Sequence, residues 1–273
     1  MRGIPLEMGR RVVADLRGAR MNLALRRLAD PQAPFQRPPD WRSKIEVVIP
    51  CYNHGPFLTP AFESIVDQQV RVPLAVTLID DCSSDDTWEV MQRIQMENSA
   101  RWLTVKAIRN PVNIRQWASL NRAIEESANR LFMVLNADDL LTPDCFEKVL
   151  HGLDSTPGIV MIGGSSLWFS ANEPPPALTL LDASRIKLDV RDPSAVATYR
   201  HLNDLNMTQS SCTFFKGAWE AVGGYRPKGR RVHPLANEDR DFQMRVNALY
   251  PVGVYSDYPL AWYRTDSSQG KNF

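Results

Sequence analysis

Four short apolar runs, separated by segments with helical spacing, occupy residues 45–135 and leave few architectures open. The runs are Ile45–Pro50, Ala75–Asp80, Leu103–Ile108 and Leu131–Leu135. Between them lie 56–69, 85–98 and 116–129, the first with Phe57, Ala61, Ile65 and Val66 on one side of a helix. A strand–helix–strand order repeated three times predicts a mostly parallel sheet with helices on both faces. Beyond Pro143 the pattern gives a helix over 143–152, strands at 158–163 and 211–215, a helix over 235–249, and short strands near 253–256 and 260–264. An irregular stretch broken by Glu173-Pro174-Pro175-Pro176 separates the two halves.

The 273 residues, 44% hydrophobic and 23% charged, suit one large α/β domain with a small appendage. A net charge of +1 excludes a dedicated nucleic-acid binder, which carries a basic excess. The charge is uneven, however. Residues 1–44 hold ten basic against four acidic side chains, and the remainder holds 22 against 27, so a +6 arm precedes a −5 body. Residues 4–29 read as a basic amphipathic helix with Val12, Leu16, Leu23 and Leu28 on one side. The four prolines of 31–40 stop that helix and make a stiff linker, so the compact domain is expected to begin near Ile45. Two readings of residues 1–30 stand: a peripheral contact with an anionic membrane, or a helix packed on the domain or on a second subunit.

No apolar run reaches the roughly 18–20 residues of a spanning helix, and arginines interrupt anything resembling a secretory signal. Cys51, Cys82, Cys145 and Cys212 form no CxxC pair, which points to reduced thiols and a cytoplasmic setting. Cys51 and Cys82 each follow an expected strand and are candidates for neighbours in space.

In open parallel sheets ligands bind at the carboxyl ends of the strands. Three such ends here carry polar loops: Pro50-Cys51-Tyr52-Asn53-His54, Asp80-Asp81-Cys82-Ser83-Ser84-Asp85-Asp86 and Asn136-Ala137-Asp138-Asp139. Gathered carboxylates repel one another, and the crowding is relieved by a cation or a hydrogen-bonding ligand. Helix capping is the simpler role for such residues. It accounts for Asp85 but not for Asp138-Asp139, since Pro143 marks a later helix start. The chain has no GxGxxG, GxxxxGK[ST] or GxSxG, so dinucleotide-binding Rossmann proteins, P-loop NTPases and α/β-hydrolases drop out.

Five segments in order resemble the family 2 inverting glycosyltransferases of GT-A fold. They are Val47–Asn53, Leu78–Asp85, Leu135–Pro143, then Val222-Gly223-Gly224-Tyr225 with Asn237-Glu238-Asp239, and finally Tyr263-Arg264. The resemblance covers about residues 45–265. It implies a nucleotide-sugar-binding half over 45–163 and an acceptor-binding, base-bearing half over 164–273. By the same resemblance Tyr52 and Asp81, with Asp80 nearby, hold the nucleotide base, generally uracil, Pro50 and Asn53 belong to the nucleotide-sugar site, and Asn113 and Asn121 line the nucleotide side. Asn136 and Asp138 face the sugar nucleotide, and Asp138 and Asp139 bind Mn²⁺ or Mg²⁺. Asp239 deprotonates the acceptor hydroxyl, with Glu238 as its rival because both open one helix. The implied donor is UDP- or dTDP-linked, and the acceptor a sugar, a lipid-linked glycan or a protein.

The chain departs from the family pattern at four points. Asn136 replaces the first aspartate of the usual DxD, Asn113-Ile114-Arg115 lacks the usual glycine, Leu120 replaces an arginine, and Asp266 a histidine. Arg226, Lys228, Arg230, Arg231 and His233, with Gly229 as pivot, form either a lid over the diphosphate or a solvated loop. Trp168 and Trp219 are either core residues or platforms for an acceptor sugar. A sugar nucleotidyltransferase and a non-catalytic carbohydrate-binding homologue are the alternative functions. The first lacks its glycine- and arginine-rich loop here.

Overall fold

The computed structural model describes residues 35–70, 72–98, 102–173, 175, 186–193, 205–227 and 236–267. The expected helix over 4–29 and residues 228–235 lie outside them. The first half runs β1 (Ile45–Cys51), α1 (Gly55–Val66), β2 (Leu74–Asp80), α2 (Thr87–Glu97), β3 (Leu103–Arg109), α3 (Gln116–Glu125) and β4 (Leu131–Val134). It continues through β5 (Leu140–Leu141), α4 (Cys145–Ser155), β6 (Met161–Phe169), β7 (Asp189–Arg191), β8 (Thr213–Phe215), α5 (Lys216–Val222), α6 (Glu238–Leu249) and β9 (Val252–Arg264).

The strands form one sheet in the order β3-β2-β1-β4-β8-β6-β9-β5, with β7 also on β9. Pairs β3–β2, β2–β1 and β1–β4 are parallel, as the βαβ order requires. Every residue of β1 and β4 is buried, the mark of parallel strands covered on both faces. β8 is antiparallel to both β4 and β6, and so sews the second half of the chain onto the first.

The second half departs from expectation in two places. β6 starts three residues later than the expected 158 and runs on to Phe169, into a stretch that lacked a clear pattern. The two short strands near the end are one strand of 13 residues. Polar Ser256 and Asp257 and the following Pro259 hide its continuity. The sheet absorbs them by bulges, and Pro259 pairs opposite Ser165 where the register slips. α5, seven residues long and ended by left-handed Gly223, is too short to show a helical period.

The domain reaches back past Ile45. Trp41 is buried in the core, and its ring meets Phe215 edge-on at 5.8 Å. Phe35 lies 5.4 Å from the same ring. Arg37, its guanidinium over Phe215 at 5.1 Å, donates to the carbonyls of Leu153, Thr156 and Ile159, covering the carboxyl end of α4. Residues 35–44 are therefore docked on the domain, because Phe35, Arg37 and Trp41 find partners on α4 and β8. Trp41→Ala should lower stability by about 3 kcal/mol, in the range for truncating a buried tryptophan. Urea unfolding should show a lower midpoint at unchanged m-value, and an unchanged midpoint would mean that the docked segment adds nothing.

Candidate active site

The loops after β1, β2 and β4 lie at the carboxyl edge of the sheet, and those after β1 and β2 hold each other by side-chain to backbone hydrogen bonds. Asn53, with φ at 58°, accepts from the Ser84 amide at 2.9 Å, and its own N–H donates to Ser83 Oγ at 2.9 Å. Asp85 accepts from the Gly55 N–H at 3.2 Å and from Thr87 N–H at 3.1 Å, so one carboxylate serves the first turns of both α1 and α2. Burial pushes its pKa up, but the Thr87 and Gly55 hydrogen bonds outweigh it and hold the group below the ordinary value.

Asp80 is fully buried, receives the Ser83 N–H at 3.0 Å, and is paired with Arg109 at 2.8 Å. Asp81 organises the loop after β3. It accepts from Asn110 Nδ2 at 2.9 Å and from the Ile114 and Arg115 N–H groups at 2.8 Å each. Arg115 sits at φ 78°, a backbone region suited to glycine, in the segment where the family pattern has one. Asn113, expected at the nucleotide, is exposed on the same loop. Tyr52 is 39% exposed. His54 is buried, accepts the Tyr52 N–H on Nδ1 at 3.2 Å, and has no hydrogen-bond partner for Nε2. Burial lowers its pKa against the pull of Asp138 and Asp85.

The loop after β4 is the most tightly held. Asp139 is buried; its Oδ2 accepts from Ser210 Oγ at 2.6 Å and from Asn136 Nδ2 at 3.1 Å, and its Oδ1 from the Arg264 N–H at 2.9 Å. Arg264 Nε also donates to the Asp138 carbonyl at 3.1 Å, while its guanidinium lies over Phe169 at 4.4 Å and Phe57 at 4.9 Å. Asp138 is half-buried, and no hydrogen bond from the described residues engages its carboxylate. Its charge is felt by Cys51 and His54 on one side and by Asp139 and Tyr263 on the other.

α6 brings Glu238 and Asp239 to the same place from its first turn. Its position is set by buried Arg245, which pairs with Asp241 at 2.8 Å and donates to the carbonyls of Val222 at 2.7 Å and Gly224 at 2.6 Å. Asn121, expected on the nucleotide side, turns its amide toward the end of α5. Its amide is spent on the turn after α5: Nδ2 donates to the Tyr225 carbonyl at 3.0 Å, and Oδ1 accepts from Tyr225 N–H at 2.8 Å and Trp219 Nε1 at 3.1 Å. Gly224, with φ at 65°, lies so close that a Cβ would stand 2.5 Å from Asn121 Oδ1. Trp219 is thereby a framework residue. Arg226 donates to the Val222 carbonyl at 3.2 Å, and the other lid candidates lie outside the described residues. Asp266 occupies an exposed turn, bound to the Ala171 N–H at 2.7 Å.

A cavity of about 660 Å³, in the range of ligand sites, opens between these elements. Asn136, Asp139, Glu238 and Asp239 all line it. Pro50, Tyr52 and Asp81 line a second, small pocket of about 30 Å³. Gln116, which the sequence reading passed over, borders both and donates from Nε2 to Asn136 Oδ1 at 3.2 Å. Arg240 and Gln209 on the large cavity were also missed. Nothing in sequence separates them from surface residues, although Arg240 directly follows Asp239. Cys51 and Cys82 are both free thiols, and Cys82 donates to the Pro111 carbonyl at 3.7 Å.

This sheet, with its flanking helices, has the fold of the GT-A glycosyltransferases. Residues 46–181 match the glycosyl transferase family 2 model, and through them the chain belongs to that family. Among curated relatives, a putative teichuronic acid biosynthesis glycosyltransferase TuaG of Bacillus subtilis is 24% identical over 41% of this chain and 42% of its own length. A dolichol-phosphate mannosyltransferase of Pyrococcus furiosus is 26% identical over 40% of this chain and 30% of its own. The chain thus matches less than half the length of these relatives. Among solved structures, TarS of S. aureus in complex with UDP-GlcNAc superposes with a TM-score of 0.60 at 16% identity, covering 82% of this chain and 59% of that one. The mannosyltransferase PcManGT of Pyrobaculum calidifontis, in complex with GDP-Man and Mn²⁺, gives 0.59 at 15% identity, over 94% and 67%. Among the described residues no helix is long and apolar enough to cross a membrane.

Burial, reinforced by the Asp138 charge, pushes the Asp139 carboxyl up to about 7, against hydrogen bonds from Ser210, Arg264 and Asn136 that lower it. The folded protein therefore keeps a proton that the unfolded chain releases near pH 4. Where the native state binds more protons, stability falls as pH rises. The contribution of Asp139 thus declines between about pH 4 and 7 and is level above. In EDTA, urea midpoints should shift in favour of Asp139→Asn, relative to the unaltered protein, as pH goes from 5 to 7.5. A difference that does not change with pH would show the carboxyl ionised throughout.

Proposed function

We propose that this chain transfers a sugar from a nucleotide-diphosphate donor, UDP- or dTDP-linked, to an acceptor hydroxyl with inversion, assisted by a divalent metal. One observation carries the reading: the Asn136–Asp139 loop and Asp239 face a single cavity, and Gln116 joins that cavity to the pocket of Tyr52 and Asp81. The nucleotide sugars held by TarS and PcManGT are the donor class carried over here.

The chain's own residues divide the work. Asp81 has three donors on a carboxylate with about four acceptor positions, so one remains for an N–H of a base, and exposed Tyr52 offers its ring face. Asp80, fixed by Arg109, and Asn53, fixed by Ser83 and Ser84, hold those two loops in register. Asp138 presents a hard oxygen donor with no competing hydrogen bond, which suits Mn²⁺ or Mg²⁺. The described residues contain no group of three ligand-type side chains, which fits an ion that arrives with phosphate oxygens and water in its shell. Such an ion, when bound, offsets the charge that develops on the diphosphate as the glycosidic bond breaks. Asp139, bound by three protein donors, keeps Asp138 in place. Asp239 takes the proton of the acceptor hydroxyl as its oxygen attacks the anomeric carbon. Glu238, next to it on α6, diverges by about 100° around the helix.

Calorimetry with UDP, dTDP and GDP should show binding that strengthens at least about tenfold when Mn²⁺ replaces EDTA, a gain lost in Asp138→Ala. Equal affinities in Mn²⁺ and EDTA would remove the metal. Asp239→Asn should lower kcat by about 10²–10⁴ while nucleotide affinity stays within about twofold, since a base acts in the transition state. If Glu238→Gln silences transfer and Asp239→Asn does not, the base is Glu238.

A further inference from the structure

One wall of the large cavity is a single face of the β6–β9 ribbon. Side chains alternate along a strand, so Ser166 and Trp168 share a face, as do Tyr263 and Thr265. Trp168 and Tyr263 are direct partners in the parallel ladder, and all four residues line the cavity. The other face is spoken for: Phe169 carries the Arg264 guanidinium at 4.4 Å.

Trp168 is 74% exposed. A tryptophan ring has 150–250 Å² of mostly apolar surface to bury, by the ordinary range for aromatic side chains. Beside a second aromatic ring and between two hydroxyl side chains, Trp168 forms an apolar patch with a polar rim, the composition of a ligand-binding groove. Gln209, buried at the same cavity, has no hydrogen-bond partner for Nε2 among the described residues. Flat aromatic surface rimmed by hydroxyl and amide groups matches a pyranose ring. Such a ring has an apolar face of C–H groups and a hydroxylated edge. Asp239 lines the same cavity, so a sugar resting on this wall has a hydroxyl within the base's domain.

We propose that Trp168, paired with Tyr263, is the platform on which a saccharide acceptor stacks, and that it sets acceptor specificity. The proposal rests on the glycosyltransferase reading for the direction of transfer, but binding at the platform is measurable without it. The full chain, Trp168→Ala and Trp168→Phe are compared by saturation-transfer NMR. The probes are the methyl glycosides of glucose, galactose, mannose and N-acetylglucosamine, and calorimetry with UDP, dTDP and GDP in Mn²⁺ runs on the same samples. At least one glycoside should receive saturation on the C–H protons of one ring face. That response should fall at least about tenfold in Trp168→Ala, stay within about threefold in Trp168→Phe, and leave nucleotide affinity unchanged. Glycoside binding that is equal in Trp168→Ala, or absent from a protein that binds nucleotide, overturns the platform. Trp168-dependent glycoside binding with no nucleotide binding leaves the platform standing and overturns the donor reading. Neither kind of binding overturns both. Melting temperatures of the exposed-site variants should match the unaltered chain, so loss of response is not loss of fold.

Discussion

The buried carboxylate of Asp139 receives hydrogen bonds from three stretches of chain far apart in sequence. The Asn136 amide comes from its own loop, the Ser210 hydroxyl from the approach to β8, and the Arg264 N–H from the end of β9. β4 closes the parallel half of the sheet, while β8 and β9 belong to the mixed half, so this group adds a polar joint beside the β4–β8 pairing where the two halves meet. Arg264 strengthens the joint from its side chain, donating to the Asp138 carbonyl and lying between Phe57 and Phe169. A buried carboxylate left without such donors would be costly to keep ionised. The network therefore also determines how much negative charge the loop can carry.

That charge limit gives a physical reason for Asn136. The family pattern has an aspartate here, yet in this chain the position lies 3.1 Å from Asp139 Oδ2. A second carboxylate at that distance would add to the push on Asp139 that burial and Asp138 already exert. The amide converts a repulsion into a donor–acceptor pair, and its other end accepts from Gln116. The cost in net charge falls on the outer position, where Asp138 remains as the carboxylate with no hydrogen bond upon it.

Legibility followed the range of the forces involved. β1 to β4 and the intervening helices were readable because their signals are local: continuous burial on one side, helical period on the other. Pro50, Tyr52 and Asp81, expected at the nucleotide, line one small pocket, and Asp239 lines the cavity of Asn136 and Asp139. What failed depended on long-range partners. Asn121 reads as a polar helix residue, and only the approach of Gly224 and Tyr225, about a hundred positions on, reveals it as a clasp. Trp41 and Phe35 sit in a stretch rich in proline that looked detached, and their burial depends on rings supplied by β8. The length of β9 was hidden because a bulge opposite Ser165 accommodates the proline that a regular strand would reject. Trp168 was balanced between core and platform until the ladder placed it beside Tyr263.

The strained backbone of the molecule is distributed with the same logic. Among the described residues Asn53, Cys82, Arg115, Asn206 and Ser211 have positive φ without being glycine. Such conformations cost about 1–3 kcal/mol each and persist where surrounding bonds leave no alternative. Asn53 is held by Ser83 and Ser84, Arg115 by the Asp81 carboxylate, and Ser211 by its N–H to the Val134 carbonyl at 2.9 Å. Cys82, Asn53 and Arg115 flank the small pocket, and Ser211 follows the serine that binds Asp139. In each case relaxation would release a loop that shapes a cavity wall, so the hydrogen bonds that hold the strain also hold the site open. Arg115 shows this most clearly. Glycine would adopt its φ of 78° at little cost but would loosen the unfolded and folded loop alike, whereas arginine is kept there by the two N–H bonds to Asp81 from Ile114 and Arg115 itself, and by the Ala118 and Ser119 N–H groups on its carbonyl. Asp81 thus ties the loop before α3 to the end of β2, and Gln116, the first residue of that helix and the boundary between the two pockets, is positioned through it.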